Sequence, residues 1–169
     1  MTTELQVSAN GHASSSPPAL IARPHSIERL YYRTTCGPEF IDITEDVRGI
    51  VDRSGLRDGF AVVFSRHTTA AIRINENEPL LIDDMKAMLA RFAPSGIYYR
   101  HNDMTVRTEN LTENEDLNGH SHCQHLLMGA SETVPCVDGE LLLGRWQRIF
   151  LVELDCGRER EVVVQVLGT

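Results

Sequence analysis

The chain holds one lysine, Lys86, and its net charge at pH 7 is −8 over 169 residues. A surface that neutralises nucleic-acid phosphates needs clustered Lys and Arg, and here the arginines are scattered. Nucleic acid is therefore not an expected partner, although a local basic pocket for a small phosphate remains allowed. Long apolar runs are also missing: nothing approaches the ~20 residues of a membrane-spanning helix, so no membrane partner is expected. No basic start followed by an apolar stretch marks a secretory signal, and a soluble, cytoplasmic protein is expected. Cysteines number four, and no two form a CxxC pair, which argues against zinc-ribbon and thioredoxin-type sites. They read as reduced thiols. Cys136 and Cys156 read as small buried hydrophobes in strand-like stretches, while Cys123 adjoins a histidine cluster. A glycine-rich loop opening a helix, the usual phosphate cradle, is absent as well.

What is present suits one domain with its own core. Residues 1–24 form a Ser-, Pro- and Ala-rich tail with few apolar anchors, too poor to offset its ordering entropy, and residues 25–169 form the domain. Strands are expected at 27–35, 59–66, 70–75, 97–101, 132–137, 140–143, 146–155 and 161–167. Asp138-Gly139 supplies a hairpin turn. Helices are expected at 44–54, with Thr44 as N-cap and Gly55 as stop, at 78–92 behind Pro79, and at 121–128. On the second, Leu81, Met85, Met88, Leu89 and Phe92 recur at helical spacing as a core face. Two or three helices among hairpin-linked strands indicate an α+β fold with a mainly antiparallel core, sandwich or half-barrel in form. The polar segment 102–118 is too long for an idle loop.

Chemistry concentrates on histidine. His67 stands at a strand end with Thr68 and Thr69 beside it. Asn75 and Glu76 lie at the next strand end, where the alternative to a functional role is helix capping. His67 and Asn75 are about 26 Å apart if extended, so they share a site only if the chain bends or a second subunit contributes. His101 enters the polar segment and His120-Ser-His122 leaves it. On an extended chain His-x-His presents both rings on one side, and with a third ligand that suits a divalent metal with an open position. A metal-free acid–base or phosphate pocket fits the same residues. The run 146–155 is apolar on both faces, so it should be buried on both sides. Glu153 within it needs a partner, and Arg158 and Arg160 are nearby.

The ordered motifs HTTAAIRINENEP, YRHN, NGHSH, TVPCVDGELLLGRWQRIFLVELD and GRER resemble the YjbQ-like family over residues 26 to 168. The resemblance implies an α+β fold with an antiparallel core, a homotrimer, and a weak thiamine-phosphate synthase activity. In that activity a pyrimidine pyrophosphate is joined to a thiazole phosphate. It implies catalytic roles for His67, Asn75, Glu76, His101 and His122, with Thr68, Thr69 and Gln147 binding the ligand. A divalent metal, zinc or magnesium, would sit on His101, His120 and His122, and imidazole ligands favour zinc. The expected partner is a small phosphorylated metabolite. Arg145 stands where the family has Thr. The alternative is a trimeric accessory protein that binds a metal or a phosphometabolite without turnover.

Overall fold

One antiparallel ladder runs through two sheets and bends between them. The structure, a computed structural model, describes residues 24–169; apart from Pro24, the expected tail lies outside the described residues. Strand β1 (Pro24–Arg33) pairs with β8 (Glu159–Gly168), and β2 (Glu39–Asp42) pairs with β7 (Gln147–Glu153). The register never slips from Ser26↔Val166 through Arg33↔Glu159, Cys36↔Cys156 and Glu39↔Glu153 to Asp42↔Phe150. The bridge between Cys36 and Cys156 is the corner. Gly37 and Gly157 flank it, and a Cβ on Gly37 would strike the backbone of Leu154 and Asp155, while one on Gly157 would strike the carbonyls of Thr34 and Thr35. Glycine lets the two chains approach this closely.

The five-stranded sheet has the order β1-β8-β3-β5-β6, where β3 is Gly59–Ser65, β5 Ser131–Val137 and β6 Glu140–Leu141. The three-stranded sheet has the order β2-β7-β4, with β4 at Ala70–Glu76. Together they make a curled antiparallel half-barrel, the expected α+β class. Its concave side holds the main core: Ala61, Val63, Val162, Val164 and Val166 face Ile72, Ile149 and Leu151, and α1 (Thr44–Ser54) closes it with Val47, Ile50 and Val51. The other face of the three-stranded sheet carries Ala71, Phe150, Val152 and Leu154, which pack with Leu89 of α2 (Pro79–Phe92) and Met128 of α3 (Gly119–Met128). Strand β7 is thus buried on both faces, as its two apolar faces predict. Burying an aliphatic side chain such as Leu151 or Val152 stabilises the fold by about 1.5–3 kcal/mol.

Several local expectations are corrected. Residues 97–101 are not a strand. Tyr99 donates to the Pro94 carbonyl and Tyr98 to Asp103, closing the segment on itself around a turn that leads into a short 3-10 helix, Arg100–Asn102. Thr44 is the first helical residue rather than the cap; its N–H and hydroxyl donate to Asp42. The helix 78–92 holds, with the Glu78 carboxylate capping the Leu80 and Leu81 amides. Its apolar stripe is wider than the core uses: Leu89 is buried, while Met88 and Phe92 are exposed. The hairpin turn holds, both Asp138 and Gly139 having positive φ, as a two-residue hairpin turn requires. Cys136 is buried, but Cys156 is exposed at the corner, because the strand ends at Glu153.

Candidate functional site

The polar segment 103–118 folds into one wall of an open cleft of about 820 Å³. Its own polar side chains do the folding, since it has few buried apolar anchors. Arg107 donates to the Glu115 carboxylate (2.8 Å) and to the carbonyls of Glu109 (3.2 Å) and Asn110 (2.8 Å). Glu115 accepts in turn from the amide and hydroxyl of Thr112, and these bonds hold its carboxyl below the usual range. Asp103 accepts from Tyr98 and from Thr105. Arg158 clamps Asp116 (2.6 Å), and Asn118 donates to Asp155 (2.8 Å).

The opposite wall carries the histidines. His101 comes from the 3-10 turn and His122 from the first turn of α3; their rings meet edge to face with centroids 4.6 Å apart. Burial, and next the proximity of His101, lowers the pKa of His122 against the smaller raising effect of Asp155. The ring is therefore neutral near pH 7 and offers a lone pair. Arg100, Arg107 and Thr68 line the same cleft, as does Asn118, whose Oδ1 is buried without a hydrogen-bond partner.

His67 is placed differently. Its Nε2 accepts the Glu161 amide (2.8 Å), so the neutral ring carries its proton on Nδ1. Burial is the main cause of its lowered pKa, followed by Arg160. It lines an adjoining groove of about 360 Å³ with His125, and Thr68 borders both spaces. Thr69 is buried and accepts from Arg160 (3.1 Å). Arg160 is the partner that Glu153 needs: its Nε reaches Oε2 at 2.6 Å, its Nη2 holds Oε1, and Thr34 adds a hydroxyl at 2.7 Å. Burial pushes the Glu153 carboxyl up, but these bonds and the Asp155 amide outweigh it and hold the group below its ordinary value.

Other expected residues lie elsewhere. Because α3 starts at Gly119, His120 and His122 sit on a helix, about 200° apart around its axis. His120 turns to the Tyr99 ring, 6.5 Å away, and to Ser121. Asn75 and Glu76 pair with Arg148 and Gln147 at the far end of β4. Asn75 there bonds Met85, and Gln147 accepts the Gly144 amide. Arg145 stacks on Trp146 at 4.7 Å. The chain therefore brings together His101, His122 and Thr68, sets His67 beside them, and keeps Asn75, Glu76, Gln147 and His120 apart. Sequence reasoning missed Arg107, Glu115 and Asn118. The available signal was the improbable length of the polar segment, which needs an internal anchor.

The donors suited to a metal are then the two imidazoles with the orphaned Asn118 Oδ1, a set whose two nitrogens fit zinc and not the all-oxygen preference of magnesium. Among the described residues, the only group of three or more His, Cys, Asp or Glu whose ligand atoms lie within 4.8 Å of one another is Asp116, Asp155 and Cys156. Arg158 already donates to all three, so its guanidinium fills the place of a cation.

The family model described as UPF0047 protein YjbQ-like matches residues 28–169. A UPF0047 protein of Methanothermobacter thermautotrophicus is 43% identical over 141 residues, covering 83% of this chain and 91% of that protein. UPF0047 protein YugU of Bacillus subtilis is 34% identical, covering 84% and 99%. Among solved structures, a YbjQ-like protein of unknown function from Sulfolobus solfataricus superposes with a TM-score of 0.77 at 35% identity, covering 85% of this chain and 97% of its own.

Proposed function

We propose that this chain, which belongs to the YjbQ-like UPF0047 family, binds a small phosphorylated metabolite in the His101–His122 cleft and acts there as a weak thiamine-phosphate synthase-like transferase. The observation that carries this reading is a facing pair of imidazoles sharing a cleft with Arg100 and Arg107, on a chain of net charge −8. In the reaction, the bond from the pyrimidine methylene carbon to the pyrophosphate oxygen breaks, and the thiazole nitrogen takes that carbon. The electron pair leaves on the pyrophosphate. Arg100 donates to its oxygens, where charge develops in the transition state, and Arg107, held by Glu115 and the carbonyls around it, adds positive charge beside them. The neutral His122 ring and its neighbour His101 orient the leaving group. A divalent metal held by His101, His122 and Asn118 would supply further positive charge to the pyrophosphate. Uncovered apolar positions on α2, Leu80, Met88 and Phe92, suit the homotrimer that the family resemblance implies.

The test is product formation from pyrimidine pyrophosphate and thiazole phosphate, with and without Mg²⁺ or Zn²⁺, for the wild type and His122→Ala. Product above a no-protein control, falling at least ~10-fold in the variant, about 1.4 kcal/mol of transition-state stabilisation, is expected. Glu115, the cleft's most firmly held carboxylate, is committed to Arg107 and Thr112. That favours one other reading, an accessory protein that holds the metabolite without turnover. Pyrophosphate binding with no product would select it.

A further inference from the structure

We propose that Cys36 and Cys156 form an oxidant-responsive thiol pair that closes to a disulfide across the corner of the sheet and releases a clamp on the cleft wall. The two are direct partners in the bent ladder. The Gly37 amide donates to the Asp155 carbonyl at 2.6 Å, so the hydrogen bonds flank this pair instead of joining it. Opposed residues of that kind have Cα atoms about 4.5 Å apart, within the span of about 4.4–6.8 Å that a disulfide bridges. Side chains of such a pair leave the same face. Both thiols are free and exposed, so a dissolved oxidant reaches them. Cys136 is buried and Cys123 lies on α3, and neither has a cysteine opposite it in the sheet.

The second half of the argument concerns the Cys156 sulfur. It accepts from Arg158 Nη2 at 2.8 Å and approaches Asp116 at 3.6 Å. The same Arg158 nitrogen holds Asp116 and Asp155, and Asp116 belongs to the segment that walls the cleft. Swinging the sulfur to Cys36 removes it from this cluster and leaves Arg158 and Asp116 to rearrange.

The oxidant is a hydroperoxide. One cysteine sulfur attacks its terminal oxygen, the O–O bond breaks, and a sulfenic acid forms with loss of water, or of an alcohol for an organic hydroperoxide. The second sulfur then attacks the sulfenic sulfur, forms the S–S bond and expels water. Two thiols are oxidised by two electrons and the peroxide is reduced by two.

The experiment treats the full chain with hydrogen peroxide and digests it without reduction. Mass spectrometry is expected to find the Cys36 peptide joined to the Cys156 peptide, two hydrogens lighter than their sum. The thiol titre should fall from four to two and recover with dithiothreitol. Cys136→Ala should keep the crosslink, and Cys36→Ser should abolish it and leave a sulfenic acid on Cys156 that dimedone traps. An unchanged titre, a crosslink between two chains, or pairing through Cys123 or Cys136 would overturn the assignment. Hydrogen exchange across 104–117 should quicken in the oxidised form, and unchanged exchange there would overturn the link to the wall. Neither readout requires phosphate binding, so the crosslink stands or falls apart from the proposed reaction.

Discussion

Two arginine–carboxylate pairs in this chain share a chemistry and differ in surroundings. Glu153 and Arg160 lie within the half-barrel, with side chains 0% and 2% exposed. Every acceptor of that carboxylate is used, by Arg160, Thr34 and two backbone amides. Arg107 and Glu115 lie in the cleft wall, 13% and 18% exposed, and much of what they hold is backbone of their own segment. The first pair joins consecutive strands of the two sheets and draws in Thr34 and Thr69 from distant parts of the chain; the second gives shape to a stretch with little core of its own. The same ion pair is thus part of the scaffold where burial surrounds it, and a local brace where it does not. Local braces are lost without global unfolding.

The comparison can be broken most directly at Arg160. Arg160→Ala leaves Glu153 buried and unpaired, and the expected loss is about 3–5 kcal/mol of stability, read from the urea midpoint. A loss under about 1 kcal/mol, the scale of an exposed pair, would erase the distinction. Next in size, Arg107→Ala is expected to open 103–118 to limited proteolysis and to weaken pyrophosphate binding ~10-fold, about 1.4 kcal/mol, measured by calorimetry. Cooperative unfolding of the whole domain at a sharply lower temperature would instead make this pair scaffold too.

A smaller effect separates the two regions by pH. His67, His122 and His125 all have pKa values lowered from 6.5, chiefly by burial. The unfolded chain therefore binds protons before the folded one, and stability falls as pH drops through and below about 6.5. His122→Gln should flatten the fall in urea midpoint on acidification; a slope equal to the wild type would show that His122 is not charged less easily in the fold. The least effect is expected from His120→Asn, whose parent faces Tyr99 rather than the cleft. Pyrophosphate affinity should stay within about twofold, less than 0.5 kcal/mol, and a larger drop would place His120 in the site.

The sequence was most readable where structure depends on near neighbours. Residues 44–54 read as a helix from their end signals, and Gly55 does stop it in a left-handed conformation. The two-sided apolar pattern of 146–155 leaves no face for water, and the structure covers both faces from Ile149 onward while Trp146 stays exposed. Reading failed where a partner distant in sequence, or an element boundary, decides. Ile97, Tyr98 and Tyr99 look like a strand, but no neighbouring strand accepts them and the two tyrosine hydroxyls bond locally. A helix beginning at Gly119 rather than 121 is enough to part His120 from His122. Arg107 gives no signal until its segment is folded around it. The Cys36–Cys156 pair depends on the register of a ladder whose strands come from opposite ends of the domain.

The central place of β8 has a consequence for synthesis. It lies between β1 and β3 in the five-stranded sheet, so two strands made early must wait for one made late. Contacts this distant in sequence slow folding. At ~5–20 residues per second of elongation, β1 and β3 spend several seconds with unpaired edges and with Leu30, Ala61 and Val63 uncovered. A nascent chain halted before Glu159 would present those edges to its neighbours on the same message, and it is the emergence of residues 159–168 that ends this exposure.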